Sequence, residues 1–242
     1  MGVRPLHALG TAISILLGVQ VVLILVEVAT LVHRINLVHR IQRGRFVTQT
    51  QADAADAAVG GAVTFVALVF VATVIVWCVW QHRAQRNAQL ISLGTTDLTP
   101  GWAVGWWFVP VANLFKPFQA VRELWKASHG GRDWRTRPTW SVIGWWWGIW
   151  LASILNVWIG GGTIGFGFQI GSDTRVVSMD QLAARDTWGI VWLVFRMVAA
   201  VLAIVIVRAI DDIQAAAPPP SPLPPPAPPP TSISEPPPPP PM

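Results

Sequence analysis

Residues 101–125 read GWAVGWWFVPVANLFKPFQAVRELW, and whether this stretch crosses a bilayer decides the fold. It carries four tryptophans and two prolines, apolar at its start and charged at its end. Only fifteen residues, Gly101 to Phe115, precede the first charge at Lys116. At 1.5 Å per residue a straight helix of that length covers about 22 Å, short of a hydrocarbon core about 30 Å thick. Pro110 would also break the hydrogen-bond ladder of such a helix. Pro117 stands where a first-turn proline belongs and opens a second helix of different character. In PFQAVRELWKAS, Phe118, Val121, Leu124 and Trp125 form one apolar stripe, and Gln119, Arg122, Glu123 and Lys126 form the polar remainder. That pattern is an amphipathic helix lying at an interface. Residues 101–128 therefore read as a short re-entrant dip followed by an interfacial helix. Irregular backbone at membrane depth survives only where protein or water covers it, so the dip must pack against neighbouring spans.

Working outward, four apolar runs frame this segment. The first, 9–32, is long enough to span and too long for the apolar part of a signal peptide, so it reads as an uncleaved signal anchor. Beyond it LVHRIN and LVHRIQ repeat, Leu31 to Gln42, with Leu31, Ile35, Val38 and Ile41 at helical spacing. The helix should continue out of the membrane as a basic extension. Residues 48–61, polar, alanine-rich and ending in glycines, read as a loop or frayed helix. The second span, 62–80, closes on Trp77 and Trp80 and then His82, Arg83 and Arg86, an interfacial ending. A third run covers 140–160 and leads into a glycine-rich segment, and a fourth covers 188–210 with Arg196 inside it.

Composition agrees with lipid as the solvent. Hydrophobic residues make up 52% of the 242 and charged residues only 12%, about half the charged share of an ordinary soluble domain. The formal charge of +5 would suit nucleic acid, but the basic residues flank apolar runs as topology signals do, so no nucleic-acid partner is expected. One cysteine, Cys78, excludes an intrachain disulfide framework. The histidines at 7, 33, 39, 82 and 129 lack metal spacing, and neither a CxxC nor an HExxH motif is present, so no metal or cofactor is expected. From Pro218 the composition shifts: sixteen of the last twenty-five residues are proline. Such a chain forms no core. Residues 214–242 read as a disordered spacer, its polyproline part reaching about 75 Å if fully extended.

WQHRAQRNAQLISLG, PGWAVGWWFVPVANLFKPFQAVRELWKAS and the tryptophan-rich WSVIGWWWGIW together resemble a bacterial membrane family known as domain of unknown function 4328, found mainly in actinobacteria. The resemblance runs over about Leu9 to Ile213 and is densest from Trp80 to Trp150. The residues matching its pattern are Trp80, Arg83, Asn87, Pro100, Gly105, Trp107, Pro110, Asn113, Pro117, Glu123, Leu124 and Trp125. The resemblance implies a multi-span membrane domain and assigns no activity, so it supplies no catalytic or ligand-binding residue.

The expected architecture is an all-α polytopic bundle, residues 1–213, with about four transmembrane helices plus the re-entrant and interfacial pair. Lysine and arginine in short connections set orientation. With four spans one side holds Arg4, Arg83, Arg86, Lys116, Arg122, Lys126, Arg132, Arg135, Arg137 and Arg208, ten in all, and the other holds Arg34, Arg40, Arg43, Arg45, Arg175 and Arg185, six in all. Both termini are therefore expected in the cytoplasm of a multi-pass cell-membrane protein.

Polar groups within the spans are the remaining functional signal: Gln20, Glu27, Asn156 and Arg196. An intramembrane charge marks a functional site by default, and the alternative is a pair that neutralises itself. Glu27 and Arg196 fall at similar depth in antiparallel spans and are expected to pair. Trp145, Trp146 and Trp147 cannot share one helix face, so one should face outward while another packs inward. No nucleophile–base constellation appears in the spans. Two classes of function remain open: a non-enzymatic scaffold in the lipid bilayer, binding a protein partner at its cytoplasmic face, or a small transporter or channel component using the buried polar groups. The sequence leaves the oligomeric state undetermined.

Overall fold

A computed structural model describes residues 4–94, 96–131, 133–159 and 178–217, without the side chains of 155–159. The glycine-rich segment that follows the third run and the proline-rich tail from residue 218 lie outside the described residues, as does the side chain of Asn156. Six α-helices carry the described fold: α1 (His7–Gln42), α2 (Gln49–Ile91), α3 (Pro100–Gly105), α4 (Lys116–Ser128), α5 (Ser141–Ile159) and α6 (Met179–Ala216). No strand occurs among the described residues.

Three of these helices, α1, α2 and α6, are long and apolar enough to cross a membrane. In α5 the described apolar stretch, Ser141–Ile154, is shorter. The outward faces of the three long helices are aliphatic: Ile15, Val22 and Leu25 on α1, Phe65, Leu68 and Ile75 on α2, and Val194, Val201 and Val205 on α6 are all exposed. Continuous exposed apolar surface of this kind is foreign to soluble monomers and natural against hydrocarbon.

Each long helix outruns the apolar run that predicts it. The basic extension of α1 is helical to Gln42, as the LVHR repeat predicts. Residues 49–61, expected as a loop or frayed turn, are instead the first turns of α2. The reason lies in two local signals. Thr48 and Gln51 form a reciprocal capping box, the Thr48 hydroxyl accepting from Gln51 N–H and the Gln51 side chain accepting from Thr48 N–H. Alanine-rich sequence then propagates the helix. Ser178 and Gln181 start α6 with the same device.

A polar clasp ties the far ends of the long helices together. The Arg34 guanidinium on α1 donates to both carboxylate oxygens of Asp186 on α6, at 2.8 and 2.6 Å, and reaches Asp56 on α2 at 3.2 Å. Gln42 Nε2 donates to Asp180 Oδ1 beside it. From this clasp α1 and α6 run antiparallel back to the other end, where Arg208 on α6 donates to Ser14 and Thr11 on α1. The helices stand in the order α2, α1, α6, α5.

The contested segment folds as a compact unit over that second end. Thr99 accepts from Trp102 N–H at the start of α3, with Pro100 in the first turn. A 3₁₀ turn, Trp106–Phe108, follows, and Val109 is extended ahead of Pro110, as a residue before proline prefers. A second 3₁₀ turn, Ala112–Leu114, leads into α4 with Pro117 in its first turn. The apolar stripe of α4 is buried by protein: Ala120, Val121, Leu124 and Ala127 have no exposed surface, packing towards α2, α5 and α6. Glu123, assigned to the polar face from sequence, belongs to this inner face instead. Its neighbours Gln119 and Arg122 are exposed as predicted.

Tryptophan rings fill the space between α2 and α5 beneath α4. Trp77 stacks on Trp146 with centroids 5.8 Å apart, and Trp107 meets Trp146, Trp147 and Trp150 edge-on. Of the consecutive tryptophans, Trp145 is 71% exposed while Trp146 and Trp147 are buried, the division that helical geometry demands.

Candidate functional site

The end of α2 closest to α4 has an unusual buried stripe. Trp77, Trp80, Gln81, Ala84, Gln85, Asn87 and Ala88 are all buried there, so amides occupy positions where a helix normally presents aliphatics. The three amides and the Trp80 indole reach beyond α2. The Trp80 indole donates to Asp211 Oδ1 on α6 at 2.8 Å. Gln81 Oε1 accepts from the indoles of Trp77 and Trp107, at 2.9 and 2.7 Å, while its Nε2 donates to Ala103 C=O in α3. Gln85 Nε2 donates to Glu123 on α4 at 2.9 Å and to Leu98 C=O. Asn87 pairs with the backbone of Arg4, accepting from its N–H at 2.9 Å and donating to its C=O at 2.8 Å. The stripe is a hub.

Two partners of the hub add their own constraints. Gln214 on α6 donates to Ala84 C=O at 3.0 Å and to the Ser128 hydroxyl at 2.8 Å, and that hydroxyl donates to Leu124 C=O. Ser128 is thereby held by structure on both sides. Asp211 lies directly against α1 at Gly10: a methyl group there would sit 1.7 Å from Asp211 Oδ2. Only glycine permits this approach of α1 to a carboxylate.

Electrostatics single out Glu123. Its Oε1 accepts from Gln85 and from Leu98 N–H at 3.0 Å. Burial pushes its carboxyl above the usual glutamate range, and the charge of Asp97 pushes the same way, against hydrogen bonds from Leu98, Gln85 and the Asp97 backbone. One oxygen of this group thus holds the α2–α3 connection to α4.

The residues of the sequence pattern divide into three sets. Trp80, Asn87, Trp107 and Glu123 make the hub's hydrogen bonds. Pro100, Gly105, Pro110, Pro117, Leu124 and Trp125 shape its surroundings: Gly105 ends α3 against the Trp102 ring, and Trp125 stacks on Trp140 at 4.7 Å. Arg83 is exposed, and Asn113, half-buried in the turn before α4, stands apart from the hub with no hydrogen-bond partner for its buried Oδ1. Arg83 instead lines an open cleft of about 450 Å³ beside the hub.

The intramembrane candidates lie elsewhere. Gln20 and Glu27 belong to the buried stripe of α1, with Leu17, Ile24 and Leu31. Glu27 and Arg196, expected to pair, do not close to the 4.0 Å of an ion pair, and Glu27 Oε2 is buried with no hydrogen-bond partner. Sequence reasoning missed Gln81, Gln85, Asp211 and Gln214. The first two had a readable signal, since Trp77, Gln81 and Gln85 recur four residues apart on one face.

The arrangement defines a class: an all-helical membrane protein in which a buried polar hub organises one end of the bundle. The family follows from comparison. The chain belongs to the family described as Domain of unknown function (DUF4328), which matches residues 43–212. The match begins at Arg43, so the whole of α1 lies outside it, narrower than the stretch from Leu9 expected from sequence. No curated protein and no solved structure matches the chain.

Proposed function

We propose that the protein is a non-enzymatic membrane scaffold that holds a protein partner against the basic, tryptophan-rich face at the hub end, in the cytoplasm. One observation carries this reading. Trp80, Gln81, Gln85 and Asn87 of α2 bond to other elements of the same chain, fixing the N-terminal segment at Arg4, α3, α4 and α6 around α2. Groups so engaged hold a shape, and a held shape is what a docking partner reads. The leader at Arg4 and the end of α6 at Gln214 meet at this same end, in keeping with both termini on the arginine-rich side.

A second reading, a small transporter or channel component, draws on Glu27 and Arg196. A buried carboxylate oxygen without a hydrogen bond, facing an arginine within a span, is the kind of group ion pathways use. Photo-cross-linking in native membranes separates the two. A cross-linker at Arg122, on the exposed face of α4, should trap one discrete protein, and the Glu123→Ala variant should lose that adduct. A cross-linker at Phe65, in the apolar belt, should trap none. Equal adducts from both positions would contradict the scaffold reading.

A further inference from the structure

We infer that the cleft beside the hub binds the phosphate of an anionic phospholipid headgroup. The inference is independent of the scaffold reading and needs only that α2 spans a bilayer. Cys78, Val79, His82, Arg83 and Arg86 line one face of α2, and Gly101 and Val104 of α3 form the opposite wall. The leader brings Arg4 to the rim, and Asn87 fixes it there by gripping the Arg4 backbone with two hydrogen bonds. The Arg4 side chain takes no part in that grip, so it is left to the cleft.

The residues are graded along the helix axis. Cys78 and Val79 belong to the last turn of the apolar run of α2, and His82, Arg83 and Arg86 follow within two turns. The floor of the cleft is therefore apolar and its rim cationic, the order in which a phospholipid presents acyl chain and phosphate. Three arginines and a histidine line it, and none of the eight lining residues is acidic. Arginine favours phosphate oxygens through its planar fork of donors. At Gly101 a side chain would point into open space, so this wall stays clear for a bulky group. A free phosphate ion would satisfy the rim alone, whereas the apolar floor favours a lipid.

The test is native mass spectrometry of the full-length protein in detergent, with phosphatidylglycerol, phosphatidylcholine or inorganic phosphate added. One phosphatidylglycerol should bind in preference to phosphatidylcholine, and inorganic phosphate at equal concentration should not displace it. Arg83→Gln and Arg4→Gln should each weaken binding about tenfold, the effect of losing about 1.4 kcal/mol of charge-assisted contact. Arg122→Gln, an equal change of charge on the exposed face of α4, should leave it unaltered. Equal binding of both lipids, displacement by phosphate, or equal loss in Arg122→Gln would overturn the proposal. Arg4 and Arg83 are exposed, so melting temperatures of both variants should stay at the wild-type value and keep the comparison valid.

Discussion

Glu123 joins three elements through a single carboxylate oxygen, and its ionisation should therefore be visible in stability. Its folded carboxyl titrates above the ordinary glutamate range because burial disfavours the charge. The folded protein then holds a proton where the unfolded chain has released it, so stability falls as pH rises from the ordinary value through the raised one. Above that window the loss is complete and constant. Glu123→Gln keeps the accepting oxygen and cannot ionise, so its melting temperature in detergent should exceed wild type at pH 8 and converge with it towards pH 4. Glu123→Ala leaves Gln85 and Leu98 N–H unmatched and should cost about 1–3 kcal/mol near pH 4, where the wild-type carboxyl is protonated, and less above the raised value. A wild-type minus Glu123→Gln difference that does not change with pH would contradict the assignment.

The helix α4 carries its consequences on one face. Val121 has no exposed surface, while Arg122 next to it is exposed over Phe118. Val121→Asp would bury a charge without a partner and should lower stability by more than about 3 kcal/mol or prevent folding. Arg122→Gln should stay within about 0.5 kcal/mol of wild type, as surface changes do. Thermal melts of the two purified variants decide the face, and equal losses would reject it. Much of this element was legible in sequence. Pro110 and Pro117 marked its breaks, and the spacing of Val121 and Leu124 marked its inner stripe. Glu123 was misplaced because its charge outweighed its position: it adjoins Leu124 and follows Ala120 by three residues, which is core spacing. The hub stayed hidden for a similar reason. Glutamines at 81 and 85 look solvated until a neighbour such as Glu123 or Trp107 arrives to meet them, and those neighbours come from distant sequence. The far clasp was equally unreadable, because Arg34 and Asp186 stand 152 residues apart.

Across the whole molecule, two polar junctions bracket an apolar belt. Arg34, Asp56 and Asp186 close one end, and the hub around Trp80 and Asp211 closes the other. Between them the outward surfaces of α1, α2 and α6 are aliphatic, and Gln20, Glu27 and Arg196 interrupt the interior. Read as a scaffold, this interior is held together by helix packing. Read as a conduit, it admits water. Cysteine accessibility in membrane vesicles distinguishes these directly. In a Cys78→Ala background, single cysteines replace Gln20, Glu27, Gln51 or Ala227, and a small membrane-impermeant thiol reagent is added to one face or both. The scaffold account predicts rapid modification of Gln51→Cys from outside only and of Ala227→Cys from inside only, with Gln20→Cys and Glu27→Cys protected from both. Modification of Glu27→Cys at a rate near that of Gln51→Cys would contradict it.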